Sequence, residues 1–193
     1  DLQKRAHIMF MRHPDVDTRY FGVKNIGRSS NDPTMFVPGL PYTAESAGGT
    51  TFVDILRASN GGAPLANPIN VTGRWALHYH WCGGPYVASN QVNCIGAVVY
   101  APIGEVPIPG WAIAHHGSRM AIEDCNVSNF RGAGIVAEQG GEIGQWVNNC
   151  VTGGRGDGDR GSWGSRAELW NKHHGSAGIA YECQSRSVLL HDN

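Results

Sequence analysis

Two apolar heptapeptides of the chain are similar, Gly132-Ala-Gly-Ile-Val-Ala-Glu138 and Ser176-Ala-Gly-Ile-Ala-Tyr-Glu182. Three earlier segments have the same form, an apolar strand that ends on a polar residue, and they end at His13, His80 and His116. A second kind of short apolar segment follows each of the five. From His116 to Glu138 the repeat spans about 22 residues, a natural length for one turn of a parallel β-helix, whose turns bury their inward side chains by stacking. We therefore predict an all-β chain that folds as a right-handed parallel β-helix (solenoid).

The composition also favours many short strands. The 193 residues include 27 glycines and 10 prolines, and 41% of all residues are hydrophobic. Gly and Asn separate short β-branched and aromatic runs, and no long heptad pattern is present. We predict one domain over residues 1–193 with two long loop insertions, at 29–69 and 153–175. Because strand-like segments reach both ends, we expect the chain to be a piece of a longer polypeptide.

The charge balance argues against nucleic acid as a partner. Lys and Arg number 15, Asp and Glu number 16, and the formal net charge is −1, so no bulk field attracts a polyanion. No apolar run approaches the roughly 18 to 20 residues of a membrane span. The sequons at Asn70 and Asn126 are compatible with secretion. We expect an extracellular or cell-surface location, no membrane segment, and contacts of the open β-helix ends with neighbouring domains or protomers.

Applied to the first kind of strand, the repeat places five polar residues in one line up the predicted helix: His13, His80, His116, Glu138 and Glu182. Residues two apart in a strand share a side, so His78 joins this column and His115 faces away. Neighbouring strands then bring together the candidate metal ligands His78, His80, His116 and Glu138, a donor set that suits Zn²⁺ or another divalent ion. The same His and Glu residues could instead form a general acid and base pair, or lie at a solvated corner.

In the second kind of strand the repeat aligns Asn25, Cys94, Cys125, Cys150 and Asn193. Such cysteines are either small buried core residues or partners in a disulfide between adjacent turns. The five cysteines also include Cys82 and Cys183, and their pairing is left open.

Two stretches resemble a known family. Residues 5–13 with Tyr20 and Gly27-Arg28, followed by residues 73–80, resemble the β-helical region that follows the G8 domain in the cell-migration-inducing hyaluronidase family. Residues 109–116 and 132–144 are similar to microbial members of this group. The resemblance implies a right-handed parallel β-helix and, for the animal members, calcium-dependent cleavage of hyaluronan. The positions that match by motif are His7, His13, Arg28, Arg74, His78, His80, His116, Glu138 and Glu142.

The residues and the resemblance together lead us to expect a glycosidase or lyase that acts on an acidic polysaccharide, with a divalent ion, Ca²⁺ or Zn²⁺, as a possible cofactor. Glu138 or Glu142 with His80 or His116 would supply acid and base. The expected substrate-binding residues are Arg28, Arg74, His13 and Trp81, of which the arginines would hold a carboxylate and the tryptophan would stack on a sugar ring. One alternative is a non-catalytic glycan- or metal-binding segment of a larger surface or secreted protein. The other is a metal enzyme with a small substrate.

Overall fold

The computed structural model describes residues 5–27, 75–83, 91–137, 141–154, 178–181 and 187–193. In these ranges every named element is a β-strand. In chain order the strands are β1 (Ile8–Met11), β2 (Asp17–Arg19), β3 (Gly22–Lys24), β4 (Leu77–His80), β5 (Val92–Ile95), β6 (Val98–Tyr100), β7 (Ile113–His116), β8 (Arg119–Glu123), β9 (Asn126–Phe130), β10 (Ile135–Ala137), β11 (Ile143–Val147), β12 (Cys150–Gly154), β13 (Ile179–Tyr181) and β14 (Ser187–His191).

The strands form three parallel sheets, in which paired strands are three apart in chain order. Sheet 1 has the order β1-β4-β7-β10-β13, sheet 2 the order β14-β11-β8-β5-β2, and sheet 3 the order β12-β9-β6-β3. The chain therefore visits the three sheets in turn. We call each such triplet a repeat: β1–β3 is repeat 1, β4–β6 repeat 2, β7–β9 repeat 3 and β10–β12 repeat 4. For the described residues the all-β prediction is confirmed, and the strand order is compatible with a solenoid.

Alternation along the strands of sheet 1 separates a buried apolar row from the opposite face. Ile8, Leu77, Ile113, Ile135 and Ile179 pair with one another across the five strands. Leu77, Ile113 and Ile135 are completely buried in the hydrophobic core. Since side chains two apart share a side of a strand, the next residue of each strand faces away from this core.

Left-handed residues mark the corners where the chain leaves one sheet for the next. After sheet 1 they are Arg12, Trp81 and Gly117, with φ of 52°, 57° and 54°. After sheet 2 they are Tyr20, Gly96, Asp124, Asn148 and Asp192. Gly, Asn and Asp adopt this conformation more readily than other residues, which accounts for their positions between the apolar segments.

The cysteine alignment predicted from the sequence is wrong for Cys94 and Cys150, whereas Cys125 and Asn193 do lie at equivalent corners. Cys94 pairs with Ile122 inside the strands of sheet 2, whereas Cys150 pairs with Asn126 in sheet 3 and is exposed. Cys125 lies beyond the end of β8, at the corner after Asp124, so equal spacing from the preceding motif does not give equal position in the sheet. Cys82, Cys94, Cys125 and Cys150 are free thiols, and the first three are buried, as expected for small core residues.

Cys125, Asn149 and Asn193 lie at equivalent corners of successive repeats, and the two asparagine side chains form a hydrogen-bonded ladder there. Asn149 Oδ1 accepts a hydrogen bond from the backbone N–H of Cys125 at 3.0 Å, and Asn193 Oδ1 accepts one from the N–H of Asn149 at 3.1 Å. The amide groups donate in turn to the carbonyl oxygens of Ile122 and Trp146. Each asparagine therefore satisfies backbone groups that the turn removes from the strand ladder.

The predicted loop 29–69 lies outside the described residues. Of the predicted loop 153–175, Gly153 and Gly154 belong to β12, so this strand is longer than expected, and residues 155–175 lie outside the described ranges. Within the described part of the chain, no helix is long and apolar enough to cross a membrane.

Candidate metal centre

Three histidines come together on the face of sheet 1 that is opposite the buried apolar row. His78 and His80 are two apart in β4, and His80 pairs directly with His116 of β7. His78 pairs with Ala114, a small residue that leaves space beside the imidazole. The sequence predicted this arrangement of His78, His80 and His116, and we call it the trihistidine cluster.

The cluster is compact enough to be considered as a ligand set. One nitrogen from each ring lies within 4.8 Å of the other two. The ring centroids of His80 and His116 are 4.4 Å apart, and those of His78 are 5.2 Å and 5.5 Å from them. Tetrahedral Zn²⁺ with bonds of about 2.0–2.1 Å needs its ligand nitrogens about 3.3 Å apart. The nitrogens are up to 4.8 Å apart, so the rings would have to approach one another to bind a single ion.

Burial is graded across the cluster. His78 is only 2% exposed, whereas His80 and His116 are half-buried. The buried ring is fixed by its surroundings, and the other two can be reached from solvent. A ligand entering the site would therefore meet His80 and His116 first.

The electrostatics keep His80 in the form that binds metal. Burial, reinforced by the nearby His116 and Arg12, lowers the pKa of His80 to about 4. The imidazole is therefore neutral at neutral pH, and one of its two ring nitrogens offers a lone pair to a metal ion. Its Nδ1 atom is buried and has no hydrogen-bond partner among the described residues. A buried nitrogen without such a partner is destabilising unless something else binds it.

The structure does not place His13 in the column. Met11 is the residue of β1 that pairs with His80, because β1 ends there and the chain turns at Arg12. His13 lies past this corner, is exposed, and accepts a hydrogen bond at Nδ1 from the backbone N–H of Asp15. The predicted alignment of His13 with His80 and His116 is therefore wrong.

Glu142 contacts the backbone next to His116, but its side chain is not part of the trihistidine cluster. It is 1% exposed, and its Oε1 accepts a hydrogen bond of 2.9 Å from the backbone N–H of Gly117. Gly117 is the left-handed corner residue that directly follows His116. The carboxylate therefore holds the corner from which His116 is presented.

The other candidate residues divide into one near the cluster and several outside the described ranges. Trp81 follows His80, is half-buried, and has its ring 6.1 Å from the His80 ring. Ala137 pairs with His115, but Glu138 lies outside the described residues, as do Arg28, Arg74 and Glu182. Of the two described members of the predicted substrate-binding set, Trp81 lies beside the histidines and His13 does not.

Two further tryptophans adjoin the cluster but are not available to a ligand. Trp75 and Trp111 stack with ring centroids 4.2 Å apart and are 1% and 4% exposed. They pack with Ala114 and Val136 in an apolar group separate from the main core. As favoured from the sequence, these rings have a packing role.

One histidine, predicted from the sequence to face away from the column, has a structural role that was not predicted. His115 is fully buried; its Nδ1 accepts a hydrogen bond from the indole N–H of Trp146 at 3.2 Å, and its Nε2 donates to the carbonyl oxygen of Ser118. Burial lowers the pKa of His115 to about 4. The burial of His115 could be predicted from its position next to His116, because two adjacent residues of a strand face opposite sides.

Because His115 is buried, we expect the folded state to lose stability in acid. Because the folded-state pKa of His115 is about 4 and the ordinary value is about 6.5, its contribution to stability is complete above pH 6.5 and is lost as pH falls toward 4. We expect the free energy of unfolding to drop by roughly 3 kcal/mol from this residue between pH 7 and pH 4. Urea unfolding measured across this range should show a smaller drop for His115→Gln. The exposed-site control His13→Gln should keep the drop, and an equal drop in all three proteins would contradict the assignment.

The described residues thus define a chain of parallel β-sheets that carries three clustered histidines on one sheet face. No family model matches the chain, and neither a curated protein nor a solved structure is significantly similar to it. The resemblance to the hyaluronidase family stays a prediction.

Proposed function

We propose that this chain is a right-handed parallel β-helix that binds a divalent transition metal at His78, His80 and His116 and uses this site to bind and cleave an acidic polysaccharide. The observation that carries the proposal is the trihistidine cluster, whose three ring nitrogens lie within 4.8 Å of one another. Three imidazoles held together on a sheet face need either a shared ligand or strict neutrality.

The β-helix is supported by the regular strand pairing. Every described strand of repeats 2 and 3 pairs with its counterpart in the neighbouring repeats, and left-handed residues recur at equivalent corners. Crossover connections between parallel strands are right-handed in nearly all proteins.

The donor set favours Zn²⁺, or a similar transition metal, over Ca²⁺. Imidazole nitrogen is a preferred ligand of Zn²⁺, whereas Ca²⁺ takes six to eight oxygen ligands. Three protein ligands leave a fourth position open, and in this position a bound ion supplies Lewis acidity toward an oxygen ligand. Because His80 and His116 are half-buried, this position would be accessible from solvent.

An acidic polysaccharide fits such a position because its uronate carboxylates are oxygen ligands. Trp81, with its ring 6.1 Å from that of His80, would stack on an adjacent sugar. Arg28 and Arg74 are the proposed partners of further carboxylates. If the histidines hold the ion, Glu138 is the proposed proton-transfer group, and Glu142 supports the corner at Gly117. An extracellular or cell-surface location follows from this substrate.

A non-catalytic binding segment is the second candidate, and one observation favours it. Leu189 and Leu190 of β14 are 59% and 38% exposed, although Leu190 is in register with the buried Trp146. Leu190 thus has the register of a core residue but is exposed, because β14 is the outermost strand of sheet 2. Such a strand is suited to contact with a neighbouring domain or protomer. In this case the metal would serve binding alone.

The test combines metal content with turnover. The purified chain is stripped with chelator and titrated with Zn²⁺ or Ca²⁺, and new reducing ends are measured on hyaluronan and other uronate polymers with and without each ion. We expect one Zn²⁺ per chain with a dissociation constant below about 1 μM, no competition by Ca²⁺, and cleavage that chelator removes and Zn²⁺ restores. Zinc binding without cleavage would favour the binding segment, and absence of zinc binding would overturn the metal site.

A further inference from the structure

Two buried thiols from neighbouring repeats lie in contact inside the protein. The sulfur atoms of Cys94 and Cys125 are 3.8 Å apart, and both residues are 0% exposed. Cys94 lies in β5 of repeat 2, and Cys125 lies between β8 and β9 of repeat 3. The contact therefore crosses the junction between two repeats.

The surroundings direct the two side chains toward each other. The Cys125 sulfur also lies 3.3 Å from the carbonyl oxygen of Cys94, so it sits over the partner residue's own backbone. The other described cysteines are placed differently: Cys82 contacts the carbonyl oxygen of His80, and Cys150 is exposed on β12. The Cys94–Cys125 pair is thus singled out by geometry.

A covalent bond requires only a small further approach. Sulfur atoms in a disulfide are about 2.05 Å apart, which is less than 2 Å closer than the present contact. Rotation of the two side chains about their Cα–Cβ bonds is the movement that would bring the sulfur atoms together. We propose that Cys94 and Cys125 form a disulfide bond that joins repeats 2 and 3 when the chain folds under oxidising conditions.

The oxidant is a small-molecule disulfide such as oxidised glutathione. The Cys125 thiolate attacks it, which forms a mixed disulfide and releases one glutathione thiolate. The Cys94 thiolate then attacks the Cys125 sulfur of the mixed disulfide and releases the second glutathione, so that two protein protons are lost and one glutathione disulfide is reduced. This order agrees with the pKa of Cys94, which its hydrogen bond with Cys125 and burial raise well above the usual range.

The bond would join the same two repeats that present the trihistidine cluster. His78 and His80 belong to repeat 2 and His116 to repeat 3. The disulfide closes a loop of about 31 residues and so restricts the unfolded chain. It does not depend on metal binding, and it forms whether or not the cluster holds an ion.

The test uses the whole chain, refolded in millimolar reduced and oxidised glutathione or in dithiothreitol. N-ethylmaleimide alkylation under denaturing conditions, followed by intact mass, should block three of the five thiols after oxidative refolding and all five after reduction. Chymotrypsin can cleave after Tyr86, which separates Cys82 from Cys94, and should release a linked pair of peptides that contain Cys94 and Cys125. Five blocked thiols after oxidative refolding, or a linkage that omits either residue, would overturn the proposal.

Stability supplies a second readout. The oxidised chain should melt roughly 5–10 °C above the reduced chain. This difference should vanish in Cys94→Ala and Cys125→Ala and persist in Cys150→Ala, the control at an exposed cysteine. Where an alanine variant fails to fold, peptide mapping of the unsubstituted chain decides the question. Loss of the difference in Cys150→Ala as well would contradict the assigned pair.

Discussion

Zinc binding is expected to be abolished in the double variant His80→Ala/His116→Ala, with no large change in the melting temperature of the metal-free protein. The substitution removes two of three imidazoles and leaves His78, which alone holds Zn²⁺ weakly. We expect the dissociation constant to rise at least about 100-fold, a difference of about 2.7 kcal/mol. Competition with a chromogenic chelator measures it directly. The two side chains are half-buried, so their truncation removes little packing.

The matched control is the double variant His13→Ala/His191→Ala. Both of these histidines are exposed and lie outside the cluster, so the control removes the same number of imidazoles and should keep zinc affinity. If the His80→Ala/His116→Ala protein still bound one Zn²⁺ with unchanged affinity, the ion would reside elsewhere in the chain, and the site assignment would be wrong.

The largest loss of stability is expected for Gly144→Ala. Gly144 lies in β11 with φ of 138°, a conformation that L side chains rarely adopt, and a Cβ there would overlap the carbonyl oxygen of Met120 in the neighbouring strand. The obstacle is backbone in a paired strand, so it cannot rotate aside. We expect a loss of about 4 kcal/mol or more, or failure to fold, measured by urea unfolding with circular dichroism.

Gly141→Ala is the control for this substitution. Gly141 is three residues earlier, and a Cβ there meets no atom within 4 Å. We expect its free energy of unfolding to change by less than about 0.5 kcal/mol. A similarly small change in Gly144→Ala would mean that β11 and β8 are not packed as described.

The sequence was sufficient for the features that depend on alternation within one strand. The grouping of His78 with His80, and the opposite orientation of His115, follow from the two-residue period of a strand. The pairing of His80 with His116 follows from the repeated form of the apolar segments. These features needed no information about where a strand ends.

The failures lie at the corners. His13 lies past a turn at Arg12, and Cys125 lies past a turn at Asp124. Counting residues from a motif does not take account of the left-handed residue that changes the direction of the chain at each turn. Strand ends depend on tertiary packing, which spacing in a single sequence does not record. The hydrogen bonds of Asn149 to Cys125 and of His115 to Trp146 were missed for a related reason, because in each the partner comes from another repeat.

The position of the trihistidine cluster on paired strands has a consequence for the thermodynamics of binding. The three rings are attached to β4 and β7, whose backbones are joined by hydrogen bonds before any ligand arrives. An ion that binds there does not have to order a loop, so association removes little conformational entropy from the chain. Its affinity would then be set by the imidazoles and their desolvation, and the site would be lost only when the two strands separate.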